Sequence, residues 1–269
     1  MIRLAVRVAR EQSELVLAEL LELAPAGVEE LDVGEGLVEY AVYGVPGELP
    51  SLPDVRAAAG AALVDVRTSE VADDWAERWR QFHRPLVLGD ALAVRPPWER
   101  PTSAAVDLVI DPGRAFGTGA HPSTRLCLEL MLELPAAGGF LDVGCGSGVL
   151  AIAAAALGWD PVLALDLDAA AVAACRANAA GNAVEVDVRR LDLRIESLPG
   201  GFATVAANLL APLLRELPTR LPAQPDHLII SGLLLDEADA VVCGFGERGL
   251  VAQHKRVYGE WAALLLGRE

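Results

Sequence analysis

The sequence predicts an α/β protein: a doubly wound, mainly parallel sheet preceded by a small N-terminal α+β domain. Three observations predict it. From about residue 86, short apolar runs alternate with Ala-rich stretches, the order that builds parallel βαβ units. A glycine-rich turn, Gly144-Cys145-Gly146-Ser147-Gly148, lies between one apolar run and the helical stretch after it. Near the start, residues 2–8 alternate in the period of a half-buried strand before an amphipathic stretch begins.

The elements follow in order. Ile2, Leu4, Val6 and Val8 alternate with Arg3, Ala5 and Arg7, which gives the first strand. Residues 11–24 set Leu15, Ala18, Leu21 and Leu23 among glutamates, as an amphipathic helix does. Leu37, Val38, Tyr40, Val42 and Tyr43 predict another strand, and Pro46, Gly47, Pro50 and Pro53 then punctuate the chain. Residues 1–55 are therefore read as the small α+β domain, which holds no catalytic constellation. Residues 56–85 read as linker and helices; Trp75, Trp79 and Phe82 share one helical face there, for which packing is the default. Residues 86–269 are the doubly wound domain. Its strands are read at Phe140–Val143, Val162–Leu165 ending on Asp166, Val184–Val188, Thr204–Ala207 ending on Asn208, and Leu228–Ile230 ending on Ser231 and Gly232. Helices fall at Gly148–Leu157 and Ala169–Ala180, and Leu250–Val257 with Trp261–Leu266 close the fold as a strand pair.

Composition narrows the function. The chain has 269 residues and 53% hydrophobic content, enough for a sizeable core. No run approaches the roughly 20 apolar residues that span a bilayer, and the N-terminus lacks the pattern of a secretory signal. The expectation is a cytoplasmic protein without a membrane partner. Cys127, Cys145, Cys175 and Cys243 show no CxxC spacing, and His83, His121, His227 and His254 are dispersed, so neither a disulfide framework nor a metal site is expected. The formal net charge is −16, from 38 acids and 22 bases, with Lys255 the single lysine. That balance opposes nucleic acid as the main partner. It suits a basic protein, which an acidic surface steers inward. A monomer is expected.

The turn carries the chemistry. Glycines there permit positive φ and close approach of a ligand, and the helix that follows offers unpaired N–H groups at the carboxyl edge of the sheet. The dinucleotide fingerprint needs glycine or alanine at its sixth position, where Val149 stands. The pattern is D-x-G-x-G-x-G, with Asp142 ahead of Gly144 and Gly146. A carboxylate at Asp142 is a poor neighbour for pyrophosphate and a good one for an ammonium and a sulfonium. Asp166 ends the next strand, where an acid takes ribose hydroxyls; Asp168, two residues on, reads as a cap for the next helix. S-adenosylmethionine, which has the ribose and the cations and lacks the phosphates, fits better than a dinucleotide.

The segment Asp111-Pro112-Gly113-Arg114-Ala115-Phe116-Gly117-Thr118-Gly119-Ala120-His121-Pro122-Ser123-Thr124 resembles the signature of the ribosomal protein methyltransferase (PrmA) family, which modifies the stalk-base protein of the large ribosomal subunit. Asp142 to Ala153, Ala207-Asn208-Leu209-Leu210, Ser231-Gly232, the Trp75/Trp79 segment and Glu260-Trp261 agree with it. The resemblance spans residues 70–269, and before that it is one of layout. It implies a Rossmann-like methyltransferase sheet and cofactor contacts at Thr124, Gly144, Asp166 and Asn208. It also implies a loop, Phe116 to Gly119, that folds over the cofactor, with Phe116, Gly117 and Thr118 at the ligand. Two positions depart from the pattern: Ser123 where threonine is more frequent, and Ala211-Pro212 where a glycine or other small residue is common.

Methyl transfer needs position and environment rather than a protein nucleophile. An acceptor amine must be neutral, which a nearby carboxylate opposes. Asn208, whose side-chain carbonyl accepts without adding a full charge, is therefore the candidate catalytic residue; its structural alternative is a cap for the segment that follows. The expected activity is N-methylation of lysine or N-terminal amines of a basic large-subunit ribosomal protein, with the N-terminal domain recognising that protein. The alternatives are a methyltransferase acting on a small molecule or another protein, and a nicotinamide-dependent oxidoreductase, against which Asp142 and Val149 count.

Overall fold

Alternation in the first strand decides how the N-terminal unit folds. The computed structural model describes residues 2–24, 28–34, 36–44, 49–70, 85–111 and 121–268. The chain divides into two compact units, 1–82 and 83–269. In the first, β1 (Ile2–Ala9) pairs antiparallel with both β3 (Leu37–Gly44) and β4 (Leu63–Glu70), and β2 (Glu29–Gly34) pairs with β3, for an order β2-β3-β1-β4. Leu4, Val6 and Val8 bury one face of β1 together with Val38 and Tyr40, under Val16 and Leu20 of α1 (Ser13–Leu23) and Val55 and Ala59 of α2 (Leu52–Ala59). The other face carries charge. Glu39 accepts from Arg3 and Arg7 at 2.5 Å each, and these two partners hold its carboxyl below the usual range.

Three expectations change here. The unit runs to residue 82 rather than 55. Residues 63–70, read within linker and helices, form a strand whose Val66 lies opposite Val6; the Ala-rich run before it obscures its period of two. On α1, Leu23, expected among the apolar positions, is exposed, while Val16 and Leu20, one turn apart, are buried; the side chains of Leu15, Ala18 and Leu21 lie outside those described. Trp75, Trp79 and Phe82 lie outside the described residues.

The second unit opens with a small sheet, β5 (Leu86–Leu88), β6 (Leu92–Arg95) and β7 (Val106–Val109), in that order. The main sheet has the order β10-β9-β8-β11-β12-β14-β13. Its strands are β8 (Phe140–Val143), β9 (Val162–Asp166), β10 (Asp187–Arg190), β11 (Thr204–Asn208), β12 (His227–Leu234), β13 (Leu250–Tyr258) and β14 (Trp261–Arg268). The first five run parallel to one another, and β14 runs antiparallel between β12 and β13. β10 lies later than the expected Val184–Val188. Val184 and Val186 pack on the core instead, and pairing with β9 begins at Asp187, opposite Leu163.

Both faces of this sheet are covered, so its strands read as continuous apolar runs. Phe140, Val162 and Ala164 face a core shared with α3 (Pro122–Met131), α4 (Val149–Leu157) and α5 (Ala169–Gly181). Leu141, Val143, Leu163 and Leu165 face the opposite core with α6 (Ala211–Arg220) and α7 (Ala238–Gly246). Sequence reading assigned no element to α3. It starts with Pro122 after an N-cap at His121, whose ring nitrogen accepts from the Ser123 N–H at 3.3 Å. Among the described residues, no helix is long and apolar enough to cross a membrane.

Candidate active site

The strand order reverses beside β8: β9 lies on one side of it and β11 on the other. Such a switch point opens a crevice at the carboxyl ends of the strands. A cavity of about 400 Å³ lies there, lined among others by Thr124, Asp142, Gly144, Gly146, Asp166 and Asn208. Among the described residues, the lining falls between Thr124 and Leu213.

The turn after β8 forms the floor. Gly144, Gly146 and Gly148 have φ of 76°, 53° and 85°, a region that favours glycine. The N–H groups of Gly144 and Cys145 donate to the Leu165 carbonyl at 2.8 and 3.0 Å, tying the turn to the end of β9. A Cβ at Gly144 would overlap the Leu209 side chain, and one at Gly148 would overlap the Cys175 thiol. Gly144 thus serves the cavity wall, while Gly148 lets α4 pack on α5.

The two acids are held differently. Both Asp166 oxygens are fixed by backbone: Oδ2 accepts from Gly146 N–H and Oδ1 from Asp168 N–H, each at 2.9 Å. Asp168 then caps α5, accepting from Ala170 N–H at 2.8 Å. Asp142 is 1% exposed. Its Oδ2 accepts from Ala151 N–H at 3.1 Å, and its Oδ1 is buried with no hydrogen-bond partner among the described residues. Burial pushes this carboxyl up to about 7, against the Ala151 hydrogen bond and with a smaller push from Asp166.

Asn208 ends β11, and its Nδ2 donates to Thr124 Oγ1 at 3.2 Å, joining residues 84 apart in sequence. The capping alternative is not realised, because the N-cap of α6 is Leu210. Gly232, with φ of 83°, sits where β12 changes register, and a Cβ there would reach the Leu209 carbonyl at 2.5 Å and Asn208 Oδ1 at 2.9 Å. Ser231-Gly232 therefore lets β12 pack against the Asn208-Leu209 corner.

Sequence reasoning missed part of the wall. Leu191, Asp192, Leu193 and Arg194 line the cavity after β10, and Arg194 holds the Asp192 carboxyl at about 2. The signal is an acid flanked by leucines just past a strand, and the expected Val184–Val188 sets that strand too early. Phe116, Gly117 and Thr118 lie outside the described residues. No thiol here is poised as a nucleophile. A hydrogen bond to Cys175, and then burial, push the Cys145 thiol up, and burial pushes Cys127 up to about 12. Among the described residues, no group of three or more His, Cys, Asp or Glu stands together as a metal site.

Comparison with known proteins places this architecture. Residues 54–269 match the family model described as ribosomal protein L11 methyltransferase (PrmA). A ribosomal protein L11 methyltransferase of Geobacter metallireducens is 43% identical over 198 residues, which are 72% of this chain and 66% of that protein. One of Geobacter sulfurreducens is 42% identical over 225 residues, 81% of this chain and 75% of that protein. The chain thus spans from about two thirds to three quarters of these relatives. The crystal structure of a ribosomal protein L11 methylase from Lactobacillus delbrueckii subsp. bulgaricus superposes with a TM-score of 0.63 at 27% identity, covering 70% of this chain and 99% of that one. The sheet with its antiparallel β14 is the Rossmann-like methyltransferase fold, and with most of its length matched by one family model, the chain belongs to the ribosomal protein L11 methyltransferase (PrmA) family.

Proposed function

We propose that this chain is an S-adenosylmethionine-dependent N-methyltransferase acting on amino groups, lysine side chains or the N-terminal amine or both, of ribosomal protein L11. The carrying observation is that Asp142, Gly144, Gly146, Asp166, Thr124 and Asn208 line one cavity at the switch point, in a chain whose relatives bear that enzyme's name.

The residues fit the cofactor. Asp142 Oδ1 is buried and unpaired in a wall of the cavity, the condition a cationic ligand relieves. Asp166, pinned by two backbone amides, keeps lone pairs for ribose hydroxyls. The Gly144 turn lets the ligand approach the backbone. When bound, S-adenosylmethionine supplies the methyl group on a sulfonium that leaves as a neutral thioether. Thr124 is fully buried; by accepting from Asn208 Nδ2 it orients that amide, leaving Asn208 Oδ1 as the acceptor for the substrate amine. Phe116, Gly117 and Thr118 complete the reading as the cofactor-covering loop.

The amine sets the chemical problem. A lysine with an ordinary pKa near 10.4 is neutral at pH 7 only at a cost of about 4.6 kcal/mol. A partly dry site beside a sulfonium lowers that cost, and a carboxylate in contact with the amine would raise it. A neutral amide at Asn208 orients the amine without stabilising its protonated form. The N-terminal unit serves to recognise the acceptor protein. The net charge of −16 favours a basic partner and opposes direct contact with nucleic acid. The reading takes the chain as a cytoplasmic monomer, where its ribosomal acceptor is made.

Transfer of a labelled methyl group from S-adenosylmethionine to purified L11, with the modified peptides identified by mass spectrometry, tests the proposal. Incorporation into amines by the wild type, lost in Asn208→Ala, is expected. No incorporation by a wild type that binds the cofactor would overturn the choice of acceptor.

A further inference from the structure

We infer that Asn178 is a positioning residue, coupling the cofactor turn to the chain segment that enters residues 111–124. This rests on the reading that the turn holds S-adenosylmethionine.

Asn178 lies on α5 and is 6% exposed. Its Oδ1 accepts from the Asp111 N–H at 3.0 Å, and its Nδ2 donates to the Asp111 carbonyl at 3.2 Å and to the Ser147 carbonyl at 2.9 Å. One turn on, Asn182 Oδ1 accepts from the Val109 N–H at 2.8 Å, and its Nδ2 donates to the Val109 carbonyl at 2.7 Å and the Asn178 carbonyl at 2.8 Å. Alternate residues of an extended segment are thus satisfied at both N–H and C=O by side-chain amides, as a neighbouring strand would satisfy them. The spacing explains how a helix does this. Four helical residues rise about 6 Å, and two extended residues about 6.6 Å, so asparagines at i and i+4 meet Val109 and Asp111 in register.

The two asparagines differ in one respect. Asn182 reaches Val109 and its own helix, whereas Asn178 also reaches Ser147, inside the turn. Ser147 follows Gly146, whose N–H holds Asp166 Oδ2. A single buried amide therefore connects three things: the start of the family signature, the glycine turn, and through that turn the ribose-side carboxylate. A staple needed only for stability would not require the contact with the turn. The effect of Asn178 is on where the turn sits, and Asn182 provides the matched control.

The test uses the full chain as wild type, Asn178→Asp, Asn178→Ser and Asn182→Ala, with three readouts: the dissociation constant for S-adenosylhomocysteine, the melting temperature, and hydrogen exchange at the Gly146 and Asp111 amides. Asn178→Asp is nearly isosteric but turns an acceptor toward the Asp111 and Ser147 carbonyls. The serine is the milder change. Both Asn178 variants are expected to weaken binding by about tenfold, the loss of one buried hydrogen bond, and to speed exchange at Gly146. Asn182→Ala is expected to lower the melting temperature while leaving binding within about threefold of wild type. Lower melting temperatures with unchanged affinity in the Asn178 variants would overturn the inference, as would equal weakening by Asn182→Ala. A wild type that fails to bind S-adenosylhomocysteine sinks the cofactor reading instead. Exchange at Gly146 without ligand then still decides the coupling, which stands if Asn178→Ser speeds it and falls if it does not. Wild-type exchange gives a check without any variant: ligand at the turn is expected to slow the Asp111 amide, and an unchanged rate overturns the coupling.

Discussion

Replacing Asp142 by asparagine separates what its carboxyl does for stability from what it does for binding. The carboxyl rises from 3.8 to about 7 on folding, chiefly because it is buried. The folded-state value lies above the unfolded one, so between roughly pH 4 and 7 the folded protein holds the extra proton, and stability falls as pH rises through that window. The cost is roughly 2 kcal/mol at pH 5 and roughly 4 at pH 8. Asparagine keeps an oxygen for the Ala151 N–H and carries no charge. Relative to wild type, Asp142→Asn should therefore gain roughly 2 to 3 kcal/mol between pH 5 and pH 8, or roughly 5 to 10 °C in melting temperature at about 2 to 4 °C per kcal/mol. Binding should move the other way. S-adenosylmethionine carries one positive charge more than S-adenosylhomocysteine, so the variant should lose about tenfold more affinity for the former. Calorimetry in buffers of different ionisation enthalpy should show wild type releasing a fraction of a proton near pH 7 when the cationic ligand binds, and the variant releasing less. Parallel melting curves for the two proteins from pH 5 to pH 8 would refute the argument from burial and the open Oδ1.

Other outcomes follow from the same geometry. Gly144→Ala combines a φ of 76° with overlap on Leu209, so it should cost roughly 1 to 3 kcal/mol of stability and weaken S-adenosylhomocysteine, both read by calorimetry. Asn208→Ala should lower kcat for methyl transfer by about a hundredfold with a smaller effect on S-adenosylhomocysteine affinity. Asn208→Asp should move the rate profile to higher pH, since its carboxylate favours the protonated amine; an unmoved profile counts against Asn208 facing the acceptor. With L11 as substrate, kcat/KM should fall steeply as salt rises from low ionic strength toward 0.15 M, whereas affinity for the cofactor should barely change.

How much of this was legible in the sequence depends on the range of each signal. The turn after β8 was readable because its glycines, Asp142 and the acid at Asp166 all lie within one βα unit and the strand after it. The Asp168 cap is a contact over two residues and was read for the same reason. The Thr124–Asn208 bond spans 84 residues; only the family pattern named both residues, and nothing local announced that they meet. Asn178 and Asn182 look like ordinary polar positions on an Ala-rich helix, since their partners lie 67 and 73 residues away. β5, β6 and β7 have three or four residues each, too short for a period to show. β4 was hidden by the alanines before it, and Leu191 to Arg194 were lost with the late start of β10.

The polar groups in and around the cavity divide by whether the protein already satisfies them. Asp166 has both oxygens on backbone amides, Asn208 has its amide nitrogen on Thr124, and Asn178 spends both donors and its acceptor on Asp111 and Ser147. These groups are held in place before any ligand arrives, which lowers the ordering cost of binding. Asp142 Oδ1 stands apart, buried without a partner among the described residues. An unmet buried acceptor costs the free protein stability, and its persistence makes sense where a cation repays that cost on binding. On the proposed reading, the carboxylate lies beneath the cofactor, where it attracts a cation, and a neutral amide lies at the acceptor, where a second carboxylate would hold the amine in its unreactive protonated form.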